Sequence, residues 1–427
     1  MTETVRPEPS PLYRWLVLIF VSLAMFGSYY AYDALSPLAD VLKQQLGFSD
    51  TNIGFLQFMY SFPNIFTVVI GGFIIDRLGL RKALMLFALL SFIGPAITAI
   101  SGHLPTMATG RLIFGMGAES LNVAVITALA RWFRGKELSF ACGLNLTASR
   151  LGTFAALNSP TWASWAYATW RKPFLIALAF SGLCVVGAVV YWLMEEWAEK
   201  NYDLGEVSTD KVVFADLFKF GTSYWLIVAL CVVFYSAIFP FQTFAVKFFI
   251  EAHGTSREFG GFLSSMLTLF AMIATPLFGL WVDRIGRRAL LMMFGSLLLI
   301  PVYLMMGYTQ INLYIPMAMM GVAFSLIPAV MWPSVAYLVD QPKLGTAYGL
   351  MTMIQNIGFG GFNLLVGWAN TYSHADASNP AGYHLGMWIF SILGILGVVF
   401  AFLLRQRELG PHGHGLETIT TATKGAT

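Results

Sequence analysis

Four ionisable side chains stand inside otherwise apolar stretches of this chain: Asp33, Arg111, Glu119 and Arg150. A charge at the centre of a bilayer costs at least ~2.5–3.5 kcal/mol, so one that persists faces a partner or a wet cavity. A guanidinium recognises a carboxylate through two parallel hydrogen bonds, and a carboxylate recognises an ammonium group. Arg150 and Glu119 together therefore suit a zwitterion such as an amino acid or a short peptide. The competing reading is a salt bridge that merely joins two helices, although a buried pair is weak support for stability alone. Asp33 follows Tyr29, Tyr30 and Tyr32. Three roles stand open for it: a second ammonium ligand, a proton carrier, or a gate residue pairing with Lys247. Arg111, with Gly115 and Gly117 on one helix, reads as structural or gating, because the glycines let that helix pack closely on its neighbours.

The elements that must position these groups are membrane helices. Hydrophobic residues make up 57% of the 427 and charged residues only 11%, whereas soluble domains run near one quarter charged. Runs long enough to span, roughly 20 residues each, occur at 14–36, 52–75, 83–101, 105–130, 139–162, 173–194, 222–249, 259–282, 289–307, 312–338, 346–371 and 383–404. With a rise of about 1.5 Å per residue, Glu119 on the fourth run and Arg150 on the fifth both lie roughly 17–21 Å from their starting faces. These runs are sequential antiparallel neighbours, so the two side chains can meet. With the N-terminus inside, most Lys and Arg residues fall at cytoplasmic ends, and only Lys43, Arg171, Lys172, Lys247 and Arg257 fall outside. That asymmetry places both termini in the cytoplasm.

Several classes are disfavoured. The net charge of +3 is scattered over short loops, which does not suit a nucleic-acid face. Cys142, Cys184 and Cys231 all sit in apolar runs, without disulfide or metal spacing, and His412 and His414 read as polar linker. No nucleophile elbow or phosphate loop is present, so neither an enzyme nor an ATP-driven pump is expected. No cofactor or metal is expected either. The first apolar run reads as an uncleaved helix.

Two stretches are near copies. Gly72-Phe-Ile-Ile-Asp76-Arg77-Leu-Gly79-Leu-Arg81-Lys82 and Gly279-Leu-Trp-Val-Asp283-Arg284-Ile-Gly286-Arg287-Arg288 lie 207 positions apart. Gly47 and Gly254 repeat at the same offset, and Ala141-Cys-Gly143-Leu144 repeats as Ala347-Tyr-Gly349-Leu350 at 206. The expected fold is therefore an all-α membrane protein with twelve transmembrane helices in two pseudo-symmetric six-helix bundles, 12–194 and 220–405. A cytoplasmic linker at 195–219, partly helical on the membrane surface, joins them, with disordered tails at 1–11 and 406–427. In the charged loops, Asp76, Arg77, Arg81 and their counterparts Asp283, Arg284 and Arg288 are candidate gate residues, and Gly79 permits the sharp turn. Ala289 replaces Lys82, which weakens the second copy. Ser325 stands in for Glu119 and Asn356 for Arg150. Charge recognition therefore concentrates in the first half, where Tyr30 and Asn122 are further candidate contacts. The second half offers Tyr235, Gln242, Phe324, Trp332, Gln355, Asn356 and Asn363, and Trp332-Pro333 is placed to bend its helix.

The G-x-x-x-D-R-x-G-x-R-K loop, the duplicated halves and Arg111-x-x-x-Gly115-x-Gly117 resemble the major facilitator superfamily over essentially the whole chain. That resemblance implies a central cavity and charged loops that stabilise one gate. Gly115-Met-Gly-Ala-Glu119-Ser120-Leu121, Trp132-Phe133-Arg134-Gly135-Lys136-Glu137-Leu138, Ala148-Ser149-Arg150-Leu151-Gly152 and Lys343-Leu-Gly345-Thr346-Ala347-Tyr348-Gly349 with Gln355-Asn356 are similar to one branch. It contains the lysosomal dipeptide uniporter that works with a glycosylated accessory subunit. The resemblance implies substrate recognition by Glu119 and Arg150. Gly27-Ser-Tyr-Tyr-Ala-Tyr-Asp33 departs from the E-x-x-E-R motif of proton-coupled oligopeptide transporters, so proton coupling is not implied. The tail Met1–Leu12 has no acidic dileucine signal, which favours a bacterial inner membrane over a lysosome, with a monomer that needs no accessory subunit. The leading expectation is a transporter of small zwitterions, most of all dipeptides, driven by a gradient or by exchange. The alternatives are a proton-coupled transporter of organic anions and a non-transporting receptor.

Overall fold

The computed structural model describes residues 7–133, 137–204, 220–411 and 413–420. The linker expected at 195–219 is only partly described, and its stretch 205–219 lies outside. Among the described residues the chain is helical, without strands. Twelve helices have 20 residues or more: α1 Pro11–Asp33, α2 Asp50–Leu78, α3 Leu80–Ile100, α4 Leu104–Trp132, α5 Leu138–Leu157, α6 Arg171–Asn201, α7 Thr222–His253, α8 Arg257–Ile285, α9 Arg288–Tyr308, α10 Tyr314–Leu338, α11 Leu344–Tyr372 and α12 His384–Leu409. Among the described residues nine spans are long and apolar enough to cross a membrane, or ten if the pair Asp50–Thr67 and Ile70–Leu78, bent by 57°, counts as one. The two long helices left over are α5 and α11. Asn145, Ser149, Arg150 and Thr153 dilute the first, and Thr352, Gln355, Asn356 and Asn363 the second. The helices expected to carry recognition groups are thus the ones whose apolar signal is weakest.

Local signals set the helix ends. Ser10 caps α1, its hydroxyl accepting from the Tyr13 amide at 3.3 Å, with Pro11 at the first helical position. The repeated glycines occupy the left-handed turns that a side chain would strain. Gly47 and Gly254 have φ of 68° and 64°, and Gly79 and Gly286 have 80° and 65°. The duplication seen in sequence is therefore a duplication of turns.

The chain divides into two compact units, and the cut does not fall at the linker alone. One unit comprises Met1–Leu35, Met59–Ala156 and Trp165–Lys211, the other Ser36–Phe58, Leu157–Ser164 and Val212–Thr427. In the first, α3 packs on α4 and α6, and α1 packs on α6. In the second, α9 packs on α10 and α12, and α7 on α12. The same pairings recur at the repeat offset. Val17, Val21, Leu84, Phe87, Leu121, Val125 and Tyr191 form the core of the first unit. Large apolar side chains such as Phe73, Leu193, Leu277 and Leu280 remain exposed, as helices solvated by hydrocarbon require.

Three boundaries differ from the sequence expectation. Helix α6 runs on to Asn201, seven residues past 194, because Glu195 and Glu199 are held by Arg131 and Arg81. Residues 406–420, expected as a disordered tail, begin as helix up to Leu409 and then pack against α9. Segment 36–58 joins the second unit through specific ties: Arg257 to Asp40, Gln57 to Thr243 at 3.3 Å and Thr51 to Thr371 at 2.9 Å.

Close helix approach in the first unit depends on Gly115. A Cβ there would stand 2.1 Å from the Tyr60 carbonyl oxygen. Gly115→Val is expected to destabilise the protein by about 1–3 kcal/mol through overpacking. A thermal unfolding midpoint equal to that of the parent protein would refute the close-packing role.

Candidate functional site

The polar centre of the first unit is built by four helices. Asp33, at the last position of α1, is 7% exposed and accepts a hydrogen bond from Thr153 Oγ1 on α5 at 2.6 Å. Thr153 stands three residues after Arg150, so one face of α5 carries both. Glu119, near the middle of α4, accepts from Tyr60 Oη on α2 at 3.4 Å. Arg111, two turns earlier on α4, donates to the Ala31 carbonyl at 3.4 Å. Its guanidinium lies 5.2 Å from the Tyr60 ring, 5.6 Å from Tyr32 and 5.6 Å from Phe114. Arg111 is 3% exposed and wrapped in aromatic rings.

Tyr32 links the group: it directly precedes Asp33, and the Arg111 guanidinium lies over its ring. Tyr32 and Tyr60 pack with ring centroids 4.6 Å apart. Glu119 and Arg111 thus gather around the Tyr32 and Tyr60 rings within one half of the molecule, and Arg150 lies one turn from the Thr153 that holds Asp33.

The structure sorts the remaining candidates. Tyr30 belongs to packing: it is 1% exposed and its ring lies 4.1 Å from Phe180 on α6. Asn122 is half-buried, one turn after Glu119. Lys247, one of the proposed partners of Asp33, is taken elsewhere. It is fully buried and bonds Asp50 at 2.8 Å, Glu251 at 3.1 Å and the Tyr383 hydroxyl at 2.9 Å. Asp50 begins α2, and sequence reading overlooked it because it precedes the apolar run and looks like an ordinary helix-start acid.

In the second unit the uncharged candidates form their own cluster. Trp332 Nε1 donates to the Tyr235 hydroxyl at 2.9 Å, and Tyr348 Oη donates to the Trp332 carbonyl at 3.1 Å. Cys231 Sγ lies 3.4 Å from Gln355 Oε1. Phe324 packs on Phe239 at 6.1 Å. Asn356 and Asn363 donate to carbonyls of their own helix, at Thr352 and Phe359, and both are buried. Gln242 is buried, and its carbonyl accepts from Ser36 at 2.5 Å.

Of the loop residues, Asp76, Arg77, Asp283 and Arg284 are exposed, and Arg77 covers the Phe73 ring at 4.7 Å. Arg81 pairs with Glu199 at 2.9 Å and Glu195 at 3.9 Å, beside Arg131. Arg288 is buried, bonded to Asp283 at 3.0 Å and stacked over Tyr337 at 4.7 Å. Tyr32, Tyr60 and Thr153 were missed as site residues. The tyrosine run beside Asp33 was the available signal for the first. Nothing in sequence singled out Tyr60 or Thr153.

Duplicated charged turns, repeated helix pairings and ionisable groups buried within long apolar helices define an integral membrane transporter. The Major Facilitator Superfamily model matches residues 21–248 and 228–422, and the chain belongs to that family. It is 34% identical to a lysosomal dipeptide transporter, MFSD1, of Danio rerio over 370 residues, covering 83% of this chain and 80% of that protein. The Homo sapiens protein of the same name is 31% identical over 422 residues, covering 94% and 89%. A hexuronate transporter of Escherichia coli K12 is 22% identical over 409 residues, covering 90% and 92%. Among solved structures, a bacterial homolog of the human lysosomal transporter Spinster, inward-facing and occupied, superposes with a TM-score of 0.74 at 16% identity, covering 93% of this chain and 98% of that one. A D-xylose–proton symporter gives 0.71 at 18%, covering 97% and 99%. These two likenesses bear on the fold.

Proposed function

We propose that this transporter moves small zwitterionic solutes, dipeptides foremost, by alternating access, with Glu119 holding the amino group and Arg150 the carboxylate. The observation that carries this reading is that Thr153, one turn after Arg150 on α5, bonds Asp33, while Glu119 bonds Tyr60, whose ring packs on Tyr32 next to Asp33. A ligand bearing both charges offers an ammonium group to Glu119 and a carboxylate to Arg150 at once. The relatives named as dipeptide transporters support the same substrate class. The driving force is a solute gradient or exchange. Both termini face the cytoplasm, by the bias of Lys and Arg toward one set of loops. The membrane is a bacterial inner membrane, and the monomer works without an accessory subunit. A second reading, an organic anion held by Arg150, draws on the hexuronate-transporting relative.

The deciding experiment is thermal stabilisation of the purified protein by dipeptides, single amino acids, dicarboxylates and sugars, since a ligand of the native state raises its stability by mass action. A shift with dipeptides and none with dicarboxylates supports the zwitterion site. The reverse pattern overturns it in favour of the anion reading.

Glu119→Gln separates the two ends of the ligand. Hydrogen bonds to charged groups contribute about 1.5–3 kcal/mol, so dipeptide affinity should fall about tenfold to 150-fold. N-acetylated dipeptides, which carry no ammonium, should change far less. Equal losses for both ligand types would remove Glu119 from amine recognition.

A further inference from the structure

The two charged loops are held in different ways. In the first unit the partners of Arg81 are Glu195 and Glu199, on the extension of α6. At the repeat offsets of 206 and 207, α12 presents Ala401 or Phe402 and Arg405 or Gln406 at those positions. At the matching positions α12 therefore offers the second loop no carboxylate, and brings Arg405 instead. The missing carboxylate comes from beyond α12.

Residues 413–420 return along the loop. Glu417 places Oε1 at 2.7 Å from the Ala289 amide and 3.4 Å from the Leu290 amide, N–H groups in the first turn of α9 that have no partner within the helix. Its other oxygen lies 3.5 Å from Arg405 Nε. Arg287 and Arg288 donate backbone N–H groups to the Glu417 and Leu416 carbonyls at 3.1 and 3.3 Å, and the Arg288 side chain donates to the Ile419 carbonyl at 2.7 Å. Leu416 is fully buried and Glu417 is 9% exposed. The approach is close enough that a Cβ on Gly286 would stand 3.1 Å from the Glu417 carbonyl oxygen. At its other end the segment is fastened to α12, with the His414 amide donating to Glu408 Oε2 at 2.7 Å. The carboxylate acts as a helix cap supplied from 128 residues away.

We propose that the second charged loop is a binding site for a carboxylate-bearing peptide turn, and that residues 413–420 occupy it in cis as a latch. While seated, the segment consumes the loop's free amides and the Arg288 guanidinium and ties α9 to α12. Any step of the transport cycle that rearranges this loop must first break those bonds, which adds to its barrier.

The test uses the full-length protein in lipid nanodiscs, comparing the parent with Glu417→Ala and with a chain ending at Gly410. Hydrogen exchange at the Ala289 and Leu290 amides should quicken about fivefold to tenfold in both variants, the change expected for a lost helix cap. In liposomes, dipeptide uptake should show a maximal rate raised at least about twofold with KM unchanged, as a lower barrier requires. A synthetic peptide of residues 411–427 added to the truncated chain should restore both values, and the same peptide with Glu417→Ala should not. Unchanged amide exchange overturns the latch. Faster exchange with an unchanged maximal rate overturns its control of turnover. Should the parent protein itself take up no dipeptide, the substrate reading fails while the exchange arm still decides the latch. Should the truncated chain not remain monodisperse, Glu417→Ala decides by the same criteria.

Discussion

Replacing Arg150 by Ala is expected to abolish stabilisation by dipeptides while leaving a folded, monodisperse protein. Arg150 is half-buried on α5, on the same face as Thr153, which holds Asp33. Truncating one member of a buried, hydrogen-bonded charge pair costs about 2–5 kcal/mol. Affinity should therefore fall between about thirtyfold and several thousandfold. Arg150→Lys should recover only part of this, because an ammonium keeps the charge and loses the planar two-pronged geometry. The measurement is the ligand-induced shift in unfolding temperature, with the ligand-free midpoint read alongside. Retained affinity in Arg150→Ala would end the carboxylate assignment. A lowered ligand-free midpoint with normal affinity would make Arg150 a helix-joining residue instead.

The second large effect concerns stability. Lys247→Met is expected to destabilise the ligand-free protein by about 3–5 kcal/mol. Lys247 is the shared cation for Asp50 and Glu251, and the Tyr383 hydroxyl lies 2.9 Å from its ammonium nitrogen. Without it, Asp50 keeps the Asn370 amide at 3.0 Å but loses its counter-charge, and Glu251 is left with Lys43 at 3.6 Å. The exposed pair Lys343–Asp340, at 3.1 Å, is the natural control. Removing it should change stability by no more than about 1 kcal/mol. If the Lys247 variant melts within the control's range, the cluster is solvated and carries little of the fold.

The class of this protein was legible because its signals are one-dimensional. Apolar runs report solvent, and the positions of Gly47, Gly79, Gly254 and Gly286 repeat because a left-handed turn admits few other residues. The four intramembrane ionisable residues stood out for the same reason. Each is expensive where it lies and so must be used. Even the helices that fail a strict apolar test, α5 and α11, fail through side chains that sequence reading had already marked, Arg150, Gln355 and Asn356 among them.

Pairing was much less legible. Asp33 had three readings, and its neighbour Thr153 entered none of them, because a hydroxyl 120 positions away becomes a partner only when two helices adopt a particular rotation. Lys247 was matched with Asp33 as one option, and the fold instead gave it to Asp50, from a segment that contact assigns to the second unit. Tyr30 and Tyr29 are adjacent in sequence and diverge by about 100° around α1, so the packing of Tyr30 on Phe180 is not shared by its neighbour. Residues 413–420 read as a polar tail because most of their bonds involve backbone groups, which leave no trace in side-chain pattern.

By itself, then, the sequence determined the membrane solvent, the duplicated helical architecture, the glycine turns and the set of groups too costly to bury without purpose, since each depends on residue type and spacing along one strand of chain. The tertiary structure alone decided which of those groups share neighbours, which are packing, and where the carboxylate of the second loop comes from. Those outcomes depend on helix rotation and on contacts more than a hundred residues apart, and many rotations are compatible with the same apolar pattern.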